Sequence, residues 1–253
     1  MWELEPDLFH YLYEFKVSTP KQIGRDIYPN ISFQAVYKRL HKLRKYGYID
    51  QTAYRAHNGA RVFSLSRRTF KEYIGSSHES VIQLGSSCVL HDLDLVDIAH
   101  RMKQSQKVKT YISENVLQTE GEYIPVESSN DLRSFKEARP DGVVEVTLRS
   151  GTYLLALEYE ANRKRSKRYE QLFRTYYRQE KIQAVLYICK TREILKRVSA
   201  IEKRLFPEHT PLFFYTTLSE LHQPSSLVFQ DWKERKLILQ EEGETEPVST
   251  TNS

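Results

Sequence analysis

Residues 139–160 read RPDGVVEVTLRSGTYLLALEYE, and the fold of the chain turns on them. They describe a two-stranded hairpin that gathers three carboxylates at one end. Arg149-Ser150-Gly151-Thr152 supplies the turn, with Ser-Gly at the two tight positions. Folding about Ser150-Gly151 pairs Leu148 with Tyr153, Val146 with Leu155 and Val144 with Leu157. The same register sets Asp141 opposite Glu160 and Val143 opposite Glu158. Side chains alternate and cross-strand partners share a face, so Asp141, Glu158 and Glu160 project to one side. The other face, Val144, Val146, Leu148, Tyr153, Leu155, Leu157 and Tyr159, is almost wholly apolar.

Like charges placed opposite each other are destabilising, and a divalent cation would relieve them. Hard cations such as Mg²⁺ take one or two carboxylates with water and phosphate oxygens, and can activate water and offset charge on an attacked phosphate. A hairpin with one solvated face would carry carboxylates too, and Glu145 and Thr147 lie on that same face. Pro140-Asp141 at one strand start, a turn, then Glu158-Tyr159-Glu160 ending the next strand resemble the PD-(D/E)XK nuclease core. That superfamily usually ends its motif in Lys; here Glu160 stands there, as in restriction endonucleases of the Glu-x-Glu type. The resemblance implies Asp141, Glu158 and Glu160 as ligands of Mg²⁺ or Mn²⁺. It leaves the general base open, with Lys164 and Lys167 as substitutes for the missing amine or as phosphate contacts.

The chain of 253 residues is long enough for one large domain or two modest ones. Lys plus Arg exceed Asp plus Glu by 38 to 33, so the distribution of charge matters more than its total. Cys88 and Cys189 lie far apart with no metal-ligand spacing, and no disulfide framework is implied. The N-terminus is acidic and amphipathic, unlike a signal or transit peptide. No stretch approaches the ~18 uninterrupted apolar residues of a membrane span. The expectation is a soluble protein of a reducing cytoplasm.

The first 74 residues read as one unit. Leu8, Phe9, Leu12 and Phe15 are at helical spacing within 5–16. Ser18-Thr19-Pro20 opens a short second helix. A third helix, 32–46, has Phe33, Val36, Leu40 and Leu43 as its inner stripe and stops at Gly47. Strands at 48–54 and 61–66 flank a turn at His57-Asn58-Gly59. Three helices followed by a two-stranded wing resemble a winged helix-turn-helix. The third helix would present Gln34, Lys38, Arg39, Lys42, Arg44 and Lys45 to DNA, with Arg55 and Arg61 on the wing. Residues 16–68 hold twelve Lys/Arg against only Asp26 and Asp50, which is what phosphate neutralisation needs. A solvated basic face, or a winged helix serving protein contacts, would share this composition.

Residues 75–87, rich in Gly and Ser, read as a linker, and 88–235 as an α/β nuclease-like domain. HDLDLVDIAHRMKQ is a helix with Leu93, Val96, Ile98 and Met102 inward. Residues 107–113 form a strand, and 114–138 an irregular region with short strands at most. After the hairpin, 161–181 is a basic helix with eight Lys/Arg, among them Arg163, Arg165 and Arg168 as DNA contacts, and Tyr169, Leu172 and Tyr176 as its packing stripe. A buried strand at 183–189, an amphipathic helix at 191–206 and a strand at 211–216 follow. Residues 236–253 are expected as a disordered tail, because EEGETEPVSTTNS from Glu241 has no apolar periodicity.

A winged helix joined to a PD-(D/E)XK-like domain resembles the replication-relaxation family, and especially its MOBC-type plasmid mobilisation relaxases. The wing, His91-Asp92-Leu93, Arg139-Pro140-Asp141 and Glu158-Tyr159-Glu160 with its basic helix carry that resemblance over residues 5–230. It implies a metal-dependent endonuclease that nicks one strand at a plasmid origin of transfer. Its DNA would be duplex with a nicked or partly melted strand, and accessory relaxosome proteins would be partners. His91 matches a family position whose role the residues do not supply; a capping or hydrogen-bonded core histidine reads equally well. No His-x-His pair exists among the eight histidines, so a relaxase of the His-cluster kind does not fit, and Tyr176-Tyr177 reads as packing or strand stacking. No Gly-Lys-Ser/Thr phosphate loop, Gly-x-Ser-x-Gly elbow or His-Glu-x-x-His is present. A non-catalytic plasmid replication or transcription regulator, needing only the winged helix, is the competing expectation.

Overall fold

Helix α1 (Pro6–Phe15) starts on a proline, whose missing N–H costs nothing at a first helical position. Leu8, Phe9, Leu12 and Phe15 are buried along it. In α2 (Pro20–Asp26), Thr19 accepts from the Gln22 N–H while the Gln22 side chain accepts from the Thr19 N–H, a full capping box. Ser32 caps α3 (Phe33–Lys45), which ends at Gly47 with φ +76, a conformation that strains any side chain. Val36, Leu40 and Leu43 form the buried stripe as expected, but Phe33 is 52% exposed. Helical side chains tilt towards the N-terminus, so a ring in the first turn overhangs the end of the packed surface. Strands β1 (Ile49–Arg55) and β2 (Arg61–Leu65) pair antiparallel as a separate two-stranded sheet. A short helix, α4 (Arg67–Thr69), runs into a π-helical segment, Phe70–Ile74.

The computed structural model describes residues 5–56, 59–75, 84–120, 132–224 and 226–240. The expected turn residues His57 and Asn58, most of the expected linker (76–83) and the chain beyond 240 lie outside these. The chain divides into two compact units, residues 1–100 with 112–124 and residues 101–111 with 125–253. Among the described residues no helix is long and apolar enough to cross a membrane.

This division does not fall at the expected linker. Helix α5 (Val89–Lys103) contributes its residues up to His100 to the first unit. The Gln22 amide donates to the Leu93 carbonyl at 2.9 Å, Arg25 pairs with Asp97 at 2.6 Å, and Leu93 joins Val17 and Val62 in one apolar cluster. After β3 (Val108–Ser113) comes α6 (Glu114–Glu120), where an irregular stretch is expected from sequence. Ser113 accepts from the Val116 N–H, Leu117 is buried, and Asn115 donates to the Tyr13 carbonyl at 2.7 Å. Glu114 pairs with Lys16 at 2.8 Å. These contacts hold a helix too short to be recognised by periodicity. Its successor α7 (Arg133–Ala138) buries Phe135 and stops at Arg139, which takes the left-handed conformation.

The second unit is built on a seven-stranded sheet in the order β3-β4-β5-β6-β7-β8-β9. β4 (Gly142–Leu148) and β5 (Gly151–Glu160) form the antiparallel hairpin. Helix α8 (Ser166–Tyr177) then connects β5 to β6 (Val185–Cys189), and α9 (Arg192–Leu205) connects β6 to β7 (Phe213–Thr217). β5, β6 and β7 run parallel, and every residue of β6 is buried, as its continuous apolar run requires. The basic helix starts at Ser166, five residues later than expected, and its inner stripe is Tyr169, Phe173 and Tyr176, with Leu172 only partly buried.

A short α10 (Leu218–Leu221) and strands β8 (Leu227–Gln230) and β9 (Lys236–Gln240) close the sheet. β9 occupies residues expected in the tail: Leu239 is fully buried, Leu237 and Ile238 are partly buried, and three apolar residues between charged flanks are too short a run to register as a strand by periodicity. Arg101, 4% exposed, donates to the carbonyls of Leu221, Gln223 and Ser226 and to the Gln240 side chain. A buried guanidinium with four acceptors ties this last part of the sheet together.

Candidate functional site

The hairpin pairs Leu148 with Gly151 and Gly142 with Leu157, so Arg149 and Ser150 occupy its two tight positions. The loop therefore lies one residue earlier than expected, and every cross-strand partner shifts by two. A two-residue shift preserves the face of each side chain, so Asp141, Glu158 and Glu160 still share a side. Their pairing changes. One step beyond the last ladder pair, Asp141 sits across from Glu158 instead of Glu160. Asp141 Oδ2 accepts from the Tyr159 N–H at 2.8 Å, which fixes the aspartate against β5.

This face is covered, not solvated. Val143, Leu154 and Ala156 on it are buried, as are Glu145 and Glu160. Phe173 and Tyr176 of α8 lie against Phe213 of β7, with ring centroids 4.7 and 5.4 Å apart. Tyr176 donates from its hydroxyl to Glu158 Oε1. Burial, and then the charge of Asp141, push the Glu158 carboxyl up to about 8, although the Tyr176 hydrogen bond and Lys164 pull the other way. Burial and Glu158 push the Tyr176 hydroxyl well above its ordinary range. The structure thus makes Asp141 and Glu158 one electrostatically linked pair.

Glu160 is held differently. Its Oε2 accepts from Lys164 Nζ at 3.0 Å and from the Tyr187 hydroxyl at 3.4 Å. The Lys164 N–H donates to the hydroxyl of buried Tyr169 at 2.9 Å, which anchors the β5–α8 connection over the site. The lysine side chain remains 38% exposed, so the pair opens to solvent at one end. Lys164, one of the two amines expected here, is therefore at the carboxylates, whereas Lys167 is exposed on α8.

Among the described residues no three His, Cys, Asp or Glu side chains are grouped closely enough to hold a metal ion. A hard cation needs fewer from the protein: Asp141 and Glu158 supply two facing carboxylates, which fits an ion completed by water and phosphate oxygens. Glu160, already bound to an amine, is a less direct ligand than the sequence implies.

Arg163, Arg165 and Arg168 are exposed around the start of α8. In the first unit, Gln34, Lys38, Arg44 and Lys45 are exposed on α3, and Lys42 is partly buried. Arg39 differs from the expectation of a free groove contact: it pairs with Glu5 at 3.0 Å and lies 5.1 Å from the Tyr28 ring centre. Arg44 donates to Gln51 on β1, and Arg61 lies 5.3 Å from the Tyr37 ring centre. The Arg55 side chain falls outside the described residues. His91 Nδ1 lies 3.3 Å from Asp92 Oδ1 in the first turn of α5, and the histidine belongs to the first unit.

Sequence reading missed Tyr187 as a partner of Glu160, because it sits within an apolar strand, and took Tyr176 for packing or strand stacking, not for a donor to Glu158. It also missed Glu202, fully buried on α9, which accepts from the hydroxyls of Tyr177 and Tyr215 and from the Leu212 and Phe213 N–H groups. One glutamate in an otherwise amphipathic helix carries no signal of that role. Compared with family models, with curated proteins and with solved structures, the chain matches none.

Proposed function

We propose that the chain is a DNA-binding protein whose second unit cleaves one DNA strand with the help of a divalent metal ion, as the resemblance to MOBC-type relaxases implies. The observation that carries this reading is the facing of Asp141 and Glu158 across β4 and β5, with the Glu160–Lys164 pair at the same end of the hairpin. The succession of β4, β5, α8 and parallel β6 supports the likeness to a PD-(D/E)XK core. The three helices and antiparallel pair of the first unit support the winged-helix reading.

In this reading Asp141 and Glu158 would hold Mg²⁺ or Mn²⁺, which would supply positive charge to the phosphate and to water. Glu160 holds Lys164, and the lysine ammonium donates a hydrogen bond that positions a water beside the phosphate. Tyr176 fixes the Glu158 rotamer through its hydroxyl. Exposed Arg163, Arg165, Lys167 and Arg168 meet phosphates flanking the cut, while Lys38 and Lys45 of α3 meet the duplex backbone.

Supercoiled plasmid carrying the cognate origin, incubated with the protein and Mn²⁺, tests the proposal by its conversion to open circles. Asp141→Asn and Glu158→Gln should lose nicking while keeping binding, since each retains an oxygen acceptor for its present donor. A parent protein that binds the origin without nicking it would support a second reading, that of a regulator. The Glu160–Lys164 pairing and the lack of a three-carboxylate group among the described residues favour that alternative.

A further inference from the structure

We propose that the N-terminal end of α3 is a stacking platform for unpaired bases, so that the first unit prefers DNA in which a strand is melted over one that is fully paired. This rests on the DNA-binding reading above and assigns the recognition of a melted strand to named residues of the first unit. The large apolar side chains exposed among the described residues are Ile31, Phe33, Tyr46, Tyr54 and Tyr73, all in the first unit. Scattered apolar exposure is ordinary, but Ile31 and Phe33 are adjacent to the α3 cap, and Phe33 continues into Tyr37 with ring centroids 6.4 Å apart. Arg61 of β2 lies 5.3 Å from the centre of the Tyr37 ring. The result is a run of arginine, tyrosine and phenylalanine leading outward to a ring that is 52% exposed.

What surrounds this run identifies its occupant. Helix α3 carries five Lys/Arg and no Asp or Glu, and Gln34 and Lys38, next in sequence to Phe33 and Tyr37, are exposed. Protein interfaces enrich aromatic residues and Arg but are depleted of Lys, and three of the five basic residues of α3 are Lys; single-stranded nucleic acid is bound by aromatic faces set in a cationic groove. Phe33 is also free to serve in this way. Val36, Leu40 and Leu43 make the buried stripe of the helix without it. Every base has a π-face, so such a platform recognises an unstacked base with little regard to sequence.

The test uses the full chain and three labelled probes of one sequence: a single strand, a paired duplex, and the duplex with a central unpaired bubble. The parent should bind the bubble and the single strand more tightly than the paired duplex. Phe33→Ala should weaken the first two by roughly 5- to 100-fold, leave the paired duplex nearly unchanged, and keep the salt slope, since no charge is removed. Phe33→Trp should restore binding. Lys38→Ala should instead weaken all three and lower the slope by about one. Unaltered melting of Phe33→Ala, expected for an exposed ring, separates stacking from folding. Parental affinity of Phe33→Ala for all probes, or an equal loss on all three, would overturn the platform while leaving DNA binding intact. A parent that binds none of them would overturn both.

Discussion

At the scale of single residues, Glu158 governs how the second unit responds to pH. Its carboxyl is raised from the ordinary 4.5 to about 8, first by burial and next by Asp141. A raised carboxyl keeps its proton in the folded state at pH values where the unfolded chain has lost it. Its contribution to stability is complete below about pH 4.5 and disappears as pH rises through about 8. Metal-free protein should therefore melt at progressively lower temperature between about pH 4.5 and about pH 8, and level off above that. Glu158→Gln, neutral throughout, should flatten that slope and melt higher than the parent at the alkaline end; identical slopes would mean another group is responsible. Holding a cation requires the same proton to leave, so Mn²⁺ affinity should rise with pH up to about 8. Tyr176→Phe removes the donor that favours the charged form and should move this rise to higher pH, as titration calorimetry would show.

At the scale of elements, alternation proved a sturdier guide than pairing. The hairpin loop sits one residue from its expected position, yet the faces of Asp141, Glu158 and Glu160 are unchanged, because a two-residue shift in partner keeps parity. What alternation could not convey was cover. The sequence of β4 and β5 does not say that Tyr176 reaches Glu158 while Phe173 packs on Phe213, since that depends on a helix placed by tertiary packing. One consequence concerns Glu145, which shares the carboxylate face but is 1% exposed and so is no neutral site for comparison. Another concerns Glu160 and Lys164. In a double-mutant cycle, Glu160→Gln and Lys164→Met should be coupled by about 1–3 kcal/mol in unfolding free energy, less than a fully buried pair because the lysine is partly exposed. On α3 the helix and its cap were readable from Ser32 and the spacing of Val36, Leu40 and Leu43, whereas the engagement of Arg39 by Glu5 was not, as α1 supplies the partner's neighbourhood. Replacing Lys38 and Lys45 with Ala should reduce the salt slope of DNA binding by about two. Arg39→Ala should lower melting temperature and change that slope less; the reverse ranking would show Arg39 released to the phosphates.

At the scale of the molecule, composition suggested a boundary where Gly and Ser accumulate, but the first unit extends through Leu93 and Asp97 of α5 and takes in α6. Leu93→Ala in the full chain should cost about 2–5 kcal/mol of stability, visible as early unfolding of the α1–α3 region by hydrogen exchange, although Leu93 lies beyond the expected linker. A cost near zero would mean the Val17–Val62 cluster closes without it. The same division leaves the two units interleaved along the chain: residues 101–111 belong to the second and 112–124 to the first. During synthesis the Tyr13 carbonyl and Lys16 emerge early, but Asn115 and Glu114, which bond them, come about a hundred residues later. At typical rates of 5–20 residues per second the 24 residues after His100 need about 1–5 s to appear. A nascent chain stalled within them carries an unfinished first unit, and no single cut in the gene separates the two units whole. Recombination that exchanges one for a foreign counterpart has to make three joins, so the pair is built to be inherited together.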